Sequence, residues 1–481
     1  MPVAAGGSKT LTTRFQEEIM KKFWIILIAL GLVAGFALNA SAVDVKFSGA
    51  YYVMGMYEDN PSLKDKNLAG IYGSQAFYTQ RLRLNATFQV AEGLALKIER
   101  LDILEKKWGD LTWTATNETL NRREGTFTAP TATGPRTQEN VEFERAYMDF
   151  TTKIGRFMIG YQNTDAFGTD AFDSNNTRGA IKYLMPIGPL TLIADIEKKQ
   201  DKNSGSTPLG AGITSNSTTT DADYDVYSLR GIYKFGAGEA GLVYQYIKNN
   251  TTRPVLSGEY TSKVSVINPY AKVSFGPVYV EAEGIWATGD IFKYEGALAT
   301  TPTISVDALG AFIHARGNFG PAYAGLQFMW VRGDDPDTLD KKEGNYMATL
   351  GYGASYDPSL ILFNDDLNTL VGNRTGYAVA TSTFVDNAWL YRAYVGFKPV
   401  PKADISLSVL YAYADKKPAA TYTGTSYGTE VDLVATYKIF DNLEYKIGAG
   451  YLFTGDYWKG TSGSNSIAND FLLLHKLTLS F

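Results

Sequence analysis

The 481-residue sequence contains no cysteine. That one absence removes disulfide frameworks, thiolate-bound zinc, iron–sulfur clusters and thiol nucleophiles together. Histidine is almost as scarce, with only His314 and His475, so a multi-histidine metal site has no ligands to draw on. Positive charge is in deficit: 45 Lys and Arg stand against 50 Asp and Glu, a net −5. This excludes a nucleic-acid binder that works through a broad basic face. Beyond residue 42 the chain has no apolar run that could span a bilayer as a helix, and no convincing amphipathic helix. Aromatic residues and glycine are plentiful: 32 Tyr, 25 Phe, 7 Trp and 47 Gly. With 45% hydrophobic residues the composition is that of a folded chain, not a disordered one.

The one long apolar run lies near the start. Met20-Lys21-Lys22 is a positive segment, Phe23–Leu38 is apolar, and Ala40-Ser41-Ala42 is a small-residue cleavage site. This is the plan of a secretory signal peptide over 20–42, cleaved near Ala42. A membrane anchor would need about 20 apolar residues and would lack the cleavage site. Residues 1–19 do not fit ahead of a signal peptide and are expected to be an untranslated extension. Gln16-Glu17-Glu18 can be encoded CAG-GAG-GAA, which holds a bacterial ribosome-binding sequence just before Met20. Met1 at the terminus of the unprocessed protein would contradict this.

From Val43 onward the recurring signal is alternation. In Phe77–Gln89, Tyr78, Leu82, Leu84, Ala86 and Phe88 share one face with Val90 just beyond. Thr79, Arg81, Arg83, Asn85, Thr87 and Gln89 share the other. Such runs reach ten to fourteen residues, longer than the five or six usual in soluble sheets and enough to cross a membrane as tilted strands. Short connections at 91–93, 151–155, 186–189, 236–239, 276–277, 320–321, 399–401 and 440–442 alternate with long polar ones. The long stretches are 58–75, 105–139, 163–177, 199–222, 249–261, 288–302, 333–386, 415–427 and 455–468. In lipid every backbone N–H and C=O needs an internal partner, so a strand-built span must close on itself. The expectation is an all-β transmembrane antiparallel barrel over 43–481, with short periplasmic turns and long extracellular loops. Seventeen connections give 18 strands, with 16 as the alternative, and 333–386 is long enough to hide extra strands. Pro269, inside a strand, predicts a bulge or ladder defect. Tyr233, Phe235, Phe275, Tyr279, Phe319, Tyr323 and Phe397 are expected to form an aromatic girdle.

Residues 145–186 resemble the general bacterial porins. The pieces are ERAYMDF, IGRFMIGYQ, the loop NTDAFGTDAFDSNNT and then RGAIKYLMP. Ala-Ser-Ala-Val-Asp-Val-Lys-Phe-Ser-Gly near the start and the terminal Phe481 are similar too. The resemblance implies that the third loop, after a fifth strand at 155–162, folds into the pore. It also implies that Phe481, with Leu473, Leu477 and Leu479 on one face, is a signal read by the barrel-assembly machinery. Location in the outer membrane of a Gram-negative bacterium, contact with lipid and lipopolysaccharide, and a homotrimer follow from the same resemblance.

On that plan Arg81, Arg83, Arg145, Arg178 and Lys182 point into the lumen from strands 2, 4 and 6. Asp165, Asp170 and Asp173 come from the third loop and are expected to face Arg81, Arg83 and Arg145. A basic wall opposite an acidic loop makes a transverse field that orients dipolar solutes. Gly236, Gly238 and Gly241 match a dinucleotide fingerprint, but a strand follows them instead of the helix that chemistry requires. The acidic run 334–340 lacks the spacing of a calcium loop and reads as solvated. His314 is expected in the lumen and His475 on the lipid side. No catalytic residue, metal ligand or cofactor is assigned. The sequence thus points to a passive channel for small hydrophilic solutes. The alternatives are a channel specific for sugar, phosphate or carboxylate, a surface adhesin, or a barrel enzyme.

Overall fold

The computed structural model describes residues 43–65, 67, 73–108, 141–174, 176–201, 222–252, 259–295, 298–344, 346–372, 374–378 and 384–481. The expected signal peptide and 1–19 extension, with most of 105–139, lie outside these. Eighteen long strands run in chain order. They are β1 (Asp44–Glu58), β2 (Gln75–Ala91), β3 (Leu94–Lys107), β4 (Val141–Thr152), β5 (Gly155–Asn163) and β6 (Thr177–Ile187). Next come β7 (Leu190–Gln200), β8 (Tyr224–Phe235), β9 (Gly238–Asn249), β10 (Tyr260–Phe275), β11 (Val278–Tyr294) and β12 (Ile304–Phe319). The last are β13 (Ala322–Val331), β14 (Ala388–Phe397), β15 (Ala403–Ala414), β16 (Ser426–Phe440), β17 (Leu443–Thr454) and β18 (Asp470–Ser480).

Each strand pairs antiparallel with its chain neighbour, and β18 pairs with β1 from Ala50↔Ser480 to Glu58↔Leu472. Gly49 and Phe481 exchange backbone hydrogen bonds of 2.7 and 3.0 Å at the end of that seam. The sheet is therefore closed and leaves no spanning edge unpaired. All eight short turns fall where the sequence puts them. The 288–302 connection is shorter than expected, because β11 continues to Tyr294 through a register shift at Asp290/Phe292. The 333–386 stretch holds no further spanning strand among the described residues. It contains a two-residue bridge at Lys341–Lys342 and two short helices, α1 (Tyr346–Leu350) and α2 (Asp365–Val371).

The outer wall is apolar: Phe143, Leu229, Leu326, Val395, Phe453, Leu473, Leu477 and Leu479 are all exposed there. Tyr233, Phe235, Phe275, Phe319 and Phe397 ring the short-turn end as expected. Tyr279 and Tyr323 do not join them. They fall on the inward parity and donate to Glu281 and Asp404 at 2.8 and 2.7 Å. At Pro269 the β10–β11 ladder steps from Ile267↔Trp286 to Tyr270↔Glu283 with no register shift. The Asn268 side chain donates to the Gly284 carbonyl at 2.8 Å, so the result is a patched ladder and not a bulge.

The inward face changes character along each strand. On β12, Val306, Ala308 and Phe312 are buried toward the long-loop end, whereas His314, Arg316 and Asn318 follow toward the short turns. On β14, Ala388 and Leu390 precede Arg392 and Tyr394. On β15, Ser406 and Ser408 lead to Leu410 and Ala412. A wall facing water along its whole length would not carry this apolar half. Each of the larger apolar side chains, Val306, Phe312, Leu390 and Leu410, gains roughly 1.5–3 kcal/mol when covered, and the third and seventh long loops cover them.

Candidate functional site

Arg81 and Arg83 do project inward, but they meet an acid of the wall itself. Arg81 Nε lies 3.0 Å from both carboxylate oxygens of Asp102, and Arg83 Nε lies 3.1 Å from one. Asp102 faces inward because β3 bulges. Leu96 and Ile98 stand opposite Phe88 and Ala86, but Leu101 stands opposite Leu84, with Arg100 at φ 55° between. The extra residue flips the parity and turns Asp102 toward the arginines. Arg145 is likewise engaged on the wall, donating to Thr177 at 2.9 Å, with Glu144 and Glu99 at 3.7 and 3.8 Å.

The loop between β5 and β6 reaches the opposite strands. Thr169 N donates to Glu283 of β11 at 2.7 Å, and Glu283 also accepts from Asn268 at 2.8 Å. Gly168, at φ 78°, permits this contact, since a Cβ there would lie 2.2 Å from the Glu283 carboxylate. Phe172 fills the notch left by Gly310. The root of the loop rests on buried charge. Arg178 binds Asp165 at 3.2 Å and Glu197 at 2.9 Å, and Arg230 binds Asp195 at 2.9 Å and the Thr164 carbonyl at 2.5 Å. Lys182 donates to the Asn163 carbonyl at 3.1 Å. Burial alone would raise the Asp165 carboxyl, but Arg178, Asn176 and Arg230 outweigh it and hold the group below the usual carboxylate range.

Asp165, Arg178 and Lys182 are therefore brought together beneath the loop, only 5–8% exposed. The expected pairing of loop aspartates with Arg81, Arg83 and Arg145 is not formed; Asp165 takes Arg178, the base nearest the loop's own root. Asp170 is exposed. Asp173 accepts the amides of Ser174 and Phe167 at 2.8 and 3.3 Å. Burial, aided by Asp170 and Asp165, raises the Asp173 carboxyl to about 7.

The 332–387 connection packs against much more of the wall. Glu430 of β16 accepts three consecutive amides, from Leu360, Ile361 and Leu362, at 3.0, 2.7 and 2.8 Å. Arg374 is buried against Glu58, Asp470 and Asn368 at the β1–β18 seam. Tyr352 donates to Gln245 of β9, and Tyr356 to Gln327 of β13 at 3.3 Å. The two loops also touch: Gly353 N donates to the Asp173 carbonyl at 3.1 Å. Leu472 and Leu474, apolar on an otherwise polar face of β18, are buried here, Leu474 beside Leu360 across Gly448.

A cavity of about 540 Å³ remains between residues 357–370 and the β1–β2 and β14–β18 wall. Its wall carries Arg81, Arg83, Arg392, Lys446 and Lys476; its acids are Asp357 and Asp366 on the loop and Asp432 on β16. Asp357 faces cavity water but is enclosed by protein. That burial, with Asp366 and Asp365 nearby, raises its carboxyl to about 7. At Ala50 and Arg83 this cavity adjoins a second of about 560 Å³, lined by Lys97, Glu99, Arg100 and Arg145 and reaching Phe481. Sequence reasoning missed Asp102, Asp357, Asp366, Arg392, Lys446 and Lys476. The signals available were the parity break at Arg100 and the apolar residues on the lumen face.

Elsewhere His314 faces the lumen, bridging Glu281 and Tyr394 at 2.8 and 2.7 Å. His475 faces outward between Tyr78 and Tyr445. Gly236 opens the β8–β9 turn, and Gly238 and Gly241 lie in β9. Asp334 and Asp335 are tied to Lys342 and Lys416. Among the described residues no acidic or histidine cluster could hold a metal ion.

The fold is thus a closed 18-stranded antiparallel β-barrel. No family model matches the chain, and no curated protein does. Among solved structures the chain is similar to Pseudomonas aeruginosa OccK9 (OpdG), with 13% identity, TM-score 0.49, and 91% of this chain and 99% of that one covered. It is similar to P. aeruginosa OccK8 (OprE) at 12% identity and TM-score 0.49, over 91% and 98%. Vibrio cholerae OmpT matches at 10% identity and TM-score 0.39, over 92% and 99%.

Proposed function

We infer that the chain is an outer-membrane channel through which small hydrophilic solutes diffuse passively, by way of the two adjoining cavities. The carrying observation is the charged cavity beside residues 357–370. Its lining opposes loop acids, Asp357 and Asp366, to a wall with more bases than acids. Such an arrangement orients dipolar solutes and favours anions over cations. The third loop narrows the barrel from the β6–β12 side, with Asp165, Arg178 and Lys182 as its anchors and Asp170 and Asp173 nearer the water. Two loops together leave a narrow passage, which favours a solute-selective channel over a wide general pore. Assembly-machinery recognition of Phe481, Leu479, Leu477 and Leu473, contact with lipopolysaccharide, and a homotrimer belong to the same reading. The outward placement of those four side chains supports the first. Single-channel recording in planar bilayers tests the reading: stepwise currents with anion preference are expected, and a silent membrane would eliminate it.

A further inference from the structure

At the long-loop end, on the far side of the 332–387 connection from the charged cavity, lies a separate cavity of about 460 Å³. It falls within the roughly 300–1,000 Å³ of small-ligand sites. Its walls come from the ends of β7–β11, and its cover is α1. Four rings line it: Tyr224, Tyr260, Phe292 and Tyr346. Tyr260 and Phe292 meet edge to face, their centroids 4.7 Å apart at 86°, so the aromatic surface is fixed by packing before any ligand arrives. Lys199 Nζ sits 4.6 Å from the Tyr224 ring centre.

The polar groups are as definite as the rings. Asn249 lines the cavity and accepts the Thr251 amide and hydroxyl on its Oδ1 at 3.0 and 2.7 Å, which fixes the orientation of its amide. Asp334 is held by Lys342 at 2.8 Å and by the Glu343 amide at 3.0 Å. The cavity therefore offers ring surface together with a carboxylate, an amide and an ammonium within one small volume. A purely apolar solute would strip water from those polar groups and return nothing for it, and a small ion would leave the rings uncovered. A ligand that satisfies both has an apolar C–H face and a rim of hydroxyls that donate as well as accept.

We propose that this cavity is a saccharide-binding site for one or two sugar rings at the mouth of the barrel, off the charged passage. The ring face packs on Tyr260 and Phe292, and the hydroxyls reach Asn249, Asp334 and Lys342. The site does not depend on conduction, so its test is direct binding.

Maltose and cellobiose are titrated into the full barrel in detergent, with binding followed by calorimetry and by saturation transfer to sugar protons. Sodium phenylacetate serves as the comparison ligand. Saturable sugar binding is expected, weakened about fivefold or more by Tyr260→Ala and far less by Tyr260→Phe. Thr349→Trp, which fills the exposed edge without removing a wall ring, is expected to abolish it. Each variant is first shown to keep the gel mobility of an unheated, folded barrel. Absence of sugar binding, binding of phenylacetate in preference to sugar, or sugar binding untouched by both Tyr260→Ala and Thr349→Trp would each overturn the proposal.

Discussion

The carboxylate of Glu430 accepts the amide of Ile361 at 2.7 Å, and the amides on either side of Ile361 point to the same group. One side chain of the wall thereby fixes the turn from which Asp357 and Asp366 enter the passage. An ordinary intramolecular hydrogen bond contributes about 0.5–1.5 kcal/mol. With three lost, Glu430→Ala should leave the barrel folded but lower the local stability of residues 357–371 by roughly 1.5–4.5 kcal/mol. Hydrogen exchange of the Leu360, Ile361 and Leu362 amides reports this, and unchanged protection would refute the anchoring role.

Asp102 neutralises one of the two charges that Arg81 and Arg83 bring to the passage. Asp102→Asn should increase anion preference in bilayer reversal potentials. The double variant Arg81→Ala/Arg83→Ala should shift the preference toward cations. It should also destabilise the barrel by about 3–5 kcal/mol, because it strands a buried carboxylate. A reversal potential unmoved by both changes would place these residues outside the ion path.

The raised carboxyls give the passage a pH dependence. Asp357 and Asp173, both near 7, are largely neutral below that value and charged above it. Lowering the pH from 8.5 to 5.5 removes negative charge from the loops, so anion preference should rise. Asp357→Asn should shrink that change, and adding Asp173→Asn should shrink it further. The linkage has a definite sign: folding raises both carboxyls, so the folded chain binds the extra protons and stability falls as pH rises toward 7. Thermal unfolding of wild type against Asp357→Asn checks this, with the gap between them widening at pH 8.

Gly168→Ala should displace the third loop. The new methyl meets the Glu283 carboxylate, and the backbone at φ 78° disfavours any side chain by about 1–2 kcal/mol. Faster proteolytic cleavage within 164–176 is expected, with heat-modifiable mobility retained.

Much of this was legible in the sequence. Gly-Pro pairs and similar turns marked the strand ends, and alternation gave the strands and the inward arginines. What the arginines meet was not legible, because Asp102 is out of phase with the start of its own strand. Only the shift of apolar positions from Leu96 and Ile98 to Leu101 records the bulge. Leu472 and Leu474 looked like exceptions to the β18 pattern. They are the imprint of a loop whose partner strands lie about a hundred residues away in the chain, a pairing no local pattern encodes. Asp165 was legible as an acid of the loop between the fifth and sixth strands, but its choice of Arg178 over Arg81 depends on where that loop is rooted.

On the proposed function, solutes pass between residues 357–370 and the β14–β18 wall. Because the chain has no cysteine, a single Ser406→Cys introduces the only thiol. Its modification by a charged methanethiosulfonate during single-channel recording is the most direct test, with outward-facing Leu407→Cys as the control. A stepwise fall in conductance at position 406 and none at 407 is the predicted result. Confirmed labelling at 406 with conductance unchanged would contradict it.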